Sequence, residues 1–173
     1  MIPFSSALSG ELTFSRIPRS RNYELKLNGE TVGTLVRPSM WCAKYVAETE
    51  HGRWTFRRAG FLGSGAEILD ADSNQTIATL KCSWGMGGTL TFADGERFRL
   101  ECRGWWRPVW TVITGTGQPV LHLHTREKTV ELPAGAAFSE SRLAQLVMFV
   151  WYRVLQAEED AATAATVAVI AAS

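Results

Sequence analysis

The sequence predicts an all-β protein, a closed antiparallel barrel of about twelve strands wrapped around one C-terminal hydrophobic helix. Three observations predict it. Turn-forming residues interrupt the chain at short intervals, and the runs between them alternate apolar and polar residues with a period of two. Near the C-terminus, LAQLVMFVWYRVL (143–155) is apolar on nearly every side.

The turns punctuate first. Asn28-Gly29 and Asp94-Gly95 are two-residue hairpin signals, because these residues tolerate the positive φ that twisted hairpins need. DADSN (70–74) and GTGQ (115–118) are longer turns of the same composition. Strands are expected near 11–16, 22–27, 31–37, 41–48, 53–58, 65–70, 75–82, 88–93, 96–102, 109–114, 119–125 and 127–132.

Alternation is clear in several of these runs. Tyr23, Leu25 and Leu27 share one face, with Glu24 and Lys26 on the other. Phe98, Leu100 and Cys102 oppose Arg97, Arg99 and Glu101, and Leu90 and Phe92 oppose Thr89, Thr91 and Ala93. One dry face and one wet face is the signature of antiparallel strands around a core. The run from Val109 to Thr114 is apolar on both sides and fits less neatly. Strand–turn–strand units recur about Asn28, Ser73, Asp94 and Thr116, in pattern rather than identity, which describes a meander of hairpins.

The period then changes. Ser139 and Ser141 are candidate N-caps for a helix over about 140–158. A surface helix shows an apolar stripe, whereas one apolar all round is surrounded. A membrane span needs about 20 apolar residues. Arg153 and the Glu158-Glu159-Asp160 run interrupt this one sooner, so burial inside the protein is expected. Closing twelve strands leaves an interior too wide for their own side chains, and the helix fills it. Residues 1–160 therefore read as the barrel with its helix, and 161–173 as an Ala-rich tail whose conformation the residues leave open.

Composition bounds the function classes. At 173 residues the chain fits one domain and needs no disulfide or metal staple. Its 46% hydrophobic and 20% charged content is that of a globular protein, and its net charge of +1 is too low for a general nucleic-acid binder. Cys42, Cys82 and Cys102 form no CxxC and lie in expected strands, which suits a reducing compartment. The N-terminus has neither the basic nor the apolar region of a signal peptide, so a cytoplasmic location is expected, peripheral to a membrane if lipid is the partner.

The strand count, the turns LNGETVGTL and ILDADSNQTIATL, and the last-placed helix LAQLVMFVWYRVL resemble the tubby-like fold group. That group comprises the tubby C-terminal domain, the phospholipid scramblases and the LURP-one-related proteins. The resemblance covers about Glu11 to Gln156 and is one of pattern and order, nearest the shorter LURP-one-related members. It implies a twelve-stranded barrel on a central helix and a non-catalytic domain, without cofactor, that binds anionic phospholipid such as a phosphoinositide, or a protein partner. The chain lacks the membrane-associated and Cys-rich segments of scramblases, so their activity does not carry over. The tubby phosphoinositide residues do not align onto this sequence residue by residue.

Three groups of residues are candidate sites. Arg16, Arg19 and Arg21, with Arg53, Arg57 and Arg58, offer guanidinium forks for an anionic lipid; otherwise they are outward residues of strands and a loop. Arg103-Gly104-Trp105-Trp106-Arg107-Pro108 joins two strands. If exposed, Trp105, Trp106 and Arg107 form a membrane-touching or partner-binding tip, and the plainer expectation is that the indoles pack on the barrel rim. His122 and His124 share a strand face, which suggests a metal-dependent, cupin-like enzyme as an alternative, although the later histidine of that pattern is missing. A lipocalin-like carrier of a small ligand is the other alternative, and it predicts a hollow centre. GFLGSG (60–65) and GMGG (85–88) match no phosphate loop, no GxSxG is present, and Glu67, Asp70 and Asp72 are explained by turn chemistry.

Overall fold

The twelve strands follow one another around a closed barrel, each hydrogen-bonded antiparallel to its sequence neighbours, with the first strand sealed against the last. The computed structural model describes residues 10–39, 43–60, 64–83, 86–133 and 138–171, the side chains of 169 and 171 excepted. Cys42, the start of the strand expected at 41, and parts of the 60–65 and 85–88 glycine runs lie outside the described residues. The strands are β1 Leu12–Arg16, β2 Tyr23–Leu27, β3 Glu30–Val36, β4 Lys44–Thr49, β5 Gly52–Ala59 and β6 Gly65–Asp70. They continue as β7 Thr76–Cys82, β8 Gly88–Phe92, β9 Arg97–Arg103, β10 Val109–Thr114, β11 Pro119–His124 and β12 Thr129–Glu131. One helix, α1 Glu140–Ala171, completes the chain.

Each strand buries alternate residues. Leu12 and Phe14, Trp54 and Phe56, Phe98 and Leu100, and Trp110 and Val112 all point inward. The two-sided run of β10 thus resolves into ordinary alternation, with Val109 and Ile113 half-buried. Apart from Gly65-Ala66, where the first residue has no side chain to aim, two places break the pattern, Ile68-Leu69 and Val120-Leu121, where consecutive residues are both buried. Register shifts lie at Ile68/Leu69 and, on the partner strand of β11, at Val112/Ile113. A bulge inserts one residue and re-aims its neighbour, which accounts for both pairs.

Asn28 and Gly29 take φ of 51° and 88°, so the β2–β3 hairpin is the tight, doubly positive turn its sequence predicts. At the β8–β9 hairpin only Gly95 is left-handed (φ 90°), and Asp94 instead uses its Oδ1 to accept from the Glu96 amide at 3.0 Å. The DADSN turn is held by Asp70, whose Oδ1 accepts from the amides of Asp72 and Ser73 and the Ser73 hydroxyl. Those bonds hold its carboxyl below the usual range, the Ser73 amide contributing most.

The interior is filled by α1. Ala144 and residues 146–152 are essentially without exposed surface, and Tyr152 packs edge-on against Tyr45 while Phe149 does so against Phe56. A helix about 10 Å across suits the space that twelve strands enclose. A carrier with an empty centre is not what this interior provides.

Ser139 is the N-cap, its Oγ accepting from the Arg142 amide at 3.2 Å, and Ser141 lies within the first turn. Arg142 then fixes the start of the helix to the β8–β9 turn. It pairs with Asp94 and with Glu96 (3.0 Å), and its guanidinium lies 3.5 Å over the Phe92 ring. The helix, expected over about 140–158, runs unbroken to Ala171, so the Ala-rich tail is its continuation. Alanine is the strongest helix former, and no Gly or Pro stands in the way.

Candidate functional site

The chain order fixes which loops share an end of the barrel. Odd-numbered strands run toward the mouth where α1 leaves, so the loops after β1, β3, β5, β7, β9 and β11 surround the emerging helix. The even-numbered strands return to the mouth where α1 begins. We call these the exit end and the start end.

Charge is segregated between them. With every strand divided at its middle residue, the exit half holds thirteen of the eighteen lysines and arginines and seven of the seventeen acidic residues. The start half holds five basic and ten acidic residues, so net charges of +6 and −5 stand at opposite ends of a protein whose total is +1. Such a separation produces a directional field that total charge conceals.

Arg16, Arg19 and Arg21 meet in the β1–β2 loop, all exposed, and Arg37 from the end of β3 closes the groove they line with Asn22 and Pro38. The loop is internally braced. Arg16 Nε donates to the Ser20 carbonyl at 2.7 Å, Ser20 Oγ to the Ile17 carbonyl at 3.0 Å, and the Arg37 amide to Asn22 Oδ1 at 3.1 Å. Arg19 is left-handed (φ 58°), which aims the chain back toward β2. Arg37 was invisible to sequence reading; it joins the group only because β2 and β3 pair.

Around the helix exit the charges are matched. Arg37 Nη1 lies 2.7 Å from Glu159 Oε1, which also accepts from the Tyr45 hydroxyl at 3.0 Å. Burial, then the Glu159 charge, pushes the Tyr45 phenol up to about 12. Burial also raises the Glu158 carboxyl, against the pull of Lys128. Arg58 holds Asp160 with both terminal nitrogens (2.6 and 3.3 Å).

The second expected arginine group does not assemble. Arg57 is occupied by Glu67 through two contacts of 2.8 and 2.9 Å, and Arg58 by Asp160. Arg53 lies at the start end, 3.9 Å from Glu48 and 4.0 Å from Asp72. Four residues along a strand are about 13 Å, so Arg53 and Arg57 sit toward different mouths.

The tryptophan tip departs from the plainer expectation. Trp105 is 94% and Trp106 81% exposed, on a loop turned by Gly104 (φ 92°). Neither packs on the rim. Arg103 and Arg107 flank them, Arg103 paired with Glu101 at 2.9 Å and Arg107 4.0 Å from Glu127. Between this loop and the helix runs a mostly apolar groove formed by Met86, Pro108, Trp110, Val154, Ala157 and Ala161, with Thr125 and Glu158 at its edge.

His122 Nδ1 is 3.0 Å from the Thr111 hydroxyl, and His124 Nε2 is 3.6 Å from Glu131. Among the described residues no three His, Cys, Asp or Glu side chains gather as a metal site. Cys82 lies in a strand, as expected, but is exposed at the end of β7, 3.6 Å from Arg153 Nη2, while Cys102 is half-buried.

Set beside known proteins, the chain matches no family model, no curated protein and no solved structure. Among the described residues no helix is long and apolar enough to cross a membrane.

Proposed function

We propose that this chain is a non-catalytic, tubby-like binding domain that docks the exit end of its barrel on an anionic phospholipid surface. The observation that carries the reading is the charge segregation, +6 at the exit half against −5 at the start half. A negatively charged surface attracts the first and repels the second, so it orients the barrel as well as binding it.

The side chains available support the same reading. Arg16, Arg19 and Arg21 have no ion-pair partner within 4.0 Å among the described residues, and they line an open groove rather than a deep pocket. Guanidinium forks on a shallow rim suit phosphate oxygens presented by a surface. Twelve strands closed around a helix is the arrangement expected of a tubby-like domain, and a fold does not fix its ligand.

Vesicle co-sedimentation tests the proposal. Binding is expected to phosphatidylcholine vesicles carrying phosphatidylserine or a phosphoinositide, to fall as salt rises, and to be absent from phosphatidylcholine alone. Equal binding to neutral and anionic vesicles, or none to either at low salt, overturns it.

A further inference from the structure

Among the described residues, the large apolar side chains that are exposed also gather at the exit end. Trp105 (94% exposed), Trp106 (81%), Met86 (46%), Val167 (61%) and Ile170 (69%) are the large hydrophobic residues that stand in solvent among the described residues. All five belong to the loops of that mouth or to the helix that leaves it. Among the described residues the start end has none. Scattered exposed apolar residues are ordinary, but five gathered at one end are not.

The helical extension has matching chemistry. From Ala161 to Ala171 the chain contains no charged residue. The hydroxyls of Thr163 and Thr166 turn back to the carbonyls of Glu159 and Ala162 at 2.9 and 3.0 Å, so their methyl groups define the outer surface. Eleven helical residues extend about 16 Å, roughly half the hydrocarbon thickness of a bilayer. The extension is anchored at its base by the Arg37–Glu159 and Arg58–Asp160 pairs, which hold the helix against the mouth.

A partner must accept apolar side chains and tolerate a basic rim at the same place. A second copy meeting this one through the same end would oppose two like-charged mouths, which is unfavourable. An anionic bilayer satisfies both demands, since indoles favour the headgroup boundary and basic residues the headgroups.

We infer that the Trp105–Trp106 loop and the 161–171 helical extension enter the headgroup–acyl boundary of an anionic membrane while the basic mouth rests on the headgroups. The inference rests on the proposed docking and deepens it: electrostatic attraction brings the barrel to the surface, and insertion retains it there.

The test uses the full chain with phosphatidylcholine–phosphatidylserine vesicles, with and without brominated acyl chains, which quench tryptophans at the boundary. Wild-type fluorescence is expected to be quenched by the brominated vesicles. In a variant carrying Trp105→Ala and Trp106→Ala most of that quenching disappears, and vesicle affinity falls about tenfold or more while staying salt-sensitive. Val167→Asp with Ile170→Asp, also at exposed positions, is expected to weaken binding to a similar degree. Salt-reversible binding without quenching would overturn insertion and leave surface docking standing. No vesicle binding at all would overturn both. Self-association in the absence of lipid, abolished by Val167→Asp and accompanied by no quenching, would assign the extension to a second copy and also overturn the inference.

Discussion

Trp151 of α1 lies face to face on Phe14 of β1, ring centroids 4.4 Å apart and planes 5° from parallel. The helix is thereby keyed to the strand that closes the barrel, and Tyr23 braces the same indole edge-on at 5.6 Å. Trp151→Ala is expected to cost about 3–5 kcal/mol, since it removes these contacts and leaves a cavity. Trp151→Phe keeps a ring on Phe14 and removes an indole N–H that has no acceptor among the described residues. Its cost is expected near 1 kcal/mol. Denaturant midpoints at unchanged slope read both values.

The tyrosines set a limit at high pH. All three, Tyr23, Tyr45 and Tyr152, have phenols raised by burial from the ordinary 10.0, Tyr45 to about 12. A raised value means the folded state holds the proton longer than the unfolded chain does. The stability this contributes is intact below pH 10.0 and lost as pH climbs toward about 12. Tyrosinate absorbance is therefore expected to stay low just above pH 10 in the folded protein. It should then rise together with loss of the circular dichroism of the fold. Tyr45→Phe should make the alkaline fall in stability shallower, and an unchanged slope would refute the assignment.

Neutralising the open arginines tests the surface directly. A basic residue near an anionic membrane is worth about 1 kcal/mol, so Arg19→Gln with Arg21→Gln is expected to weaken vesicle binding about thirtyfold. Neutralising Glu30 and Glu48 at the start end is expected to leave binding within about twofold, because they lie beyond a Debye length of the contact. Equal effects at both ends would mean the attraction follows net charge alone.

Gly65 marks a close approach between strands. A Cβ there would stand 2.5 Å from the Leu80 carbonyl oxygen, which is backbone and cannot swing aside. Gly65→Ala is expected to destabilise the barrel by about 1–3 kcal/mol, measured by thermal or denaturant unfolding.

The barrel was legible because its two periods are unmistakable. Residues such as Leu100 and Arg99 alternate cleanly, and the stretch from Leu146 to Tyr152 has no polar side to expose. The helix ran past its expected end because Glu158 to Asp160 read as a stop, whereas each of Glu159 and Asp160 is neutralised by a strand arginine that only the fold brings near. The exposure of Trp105 and Trp106 was hidden for a similar reason: apolar pairs usually pack, and nothing in a local sequence states that a loop points away from its barrel. Strand direction misled the grouping of Arg53 with Arg57. The charge segregation had a signal that reading by net charge passed over. In a meander alternate turns lie at the same end, and the turns around Arg19, Arg58, Arg107 and Lys128 are basic while those around Glu30, Asp72 and Asp94 are acidic.

The seam between β1 and β12 is short, with Leu12 opposite Val130 and Thr13 opposite Thr129. Its halves come from opposite stretches of the chain, and the plug that fills the interior is made after both. On a ribosome, eleven strands wait with an open flank until β12 is made, and all twelve wait without filling until α1 appears. A nascent chain stalled before α1 should therefore expose the sticky interior that the folded barrel conceals.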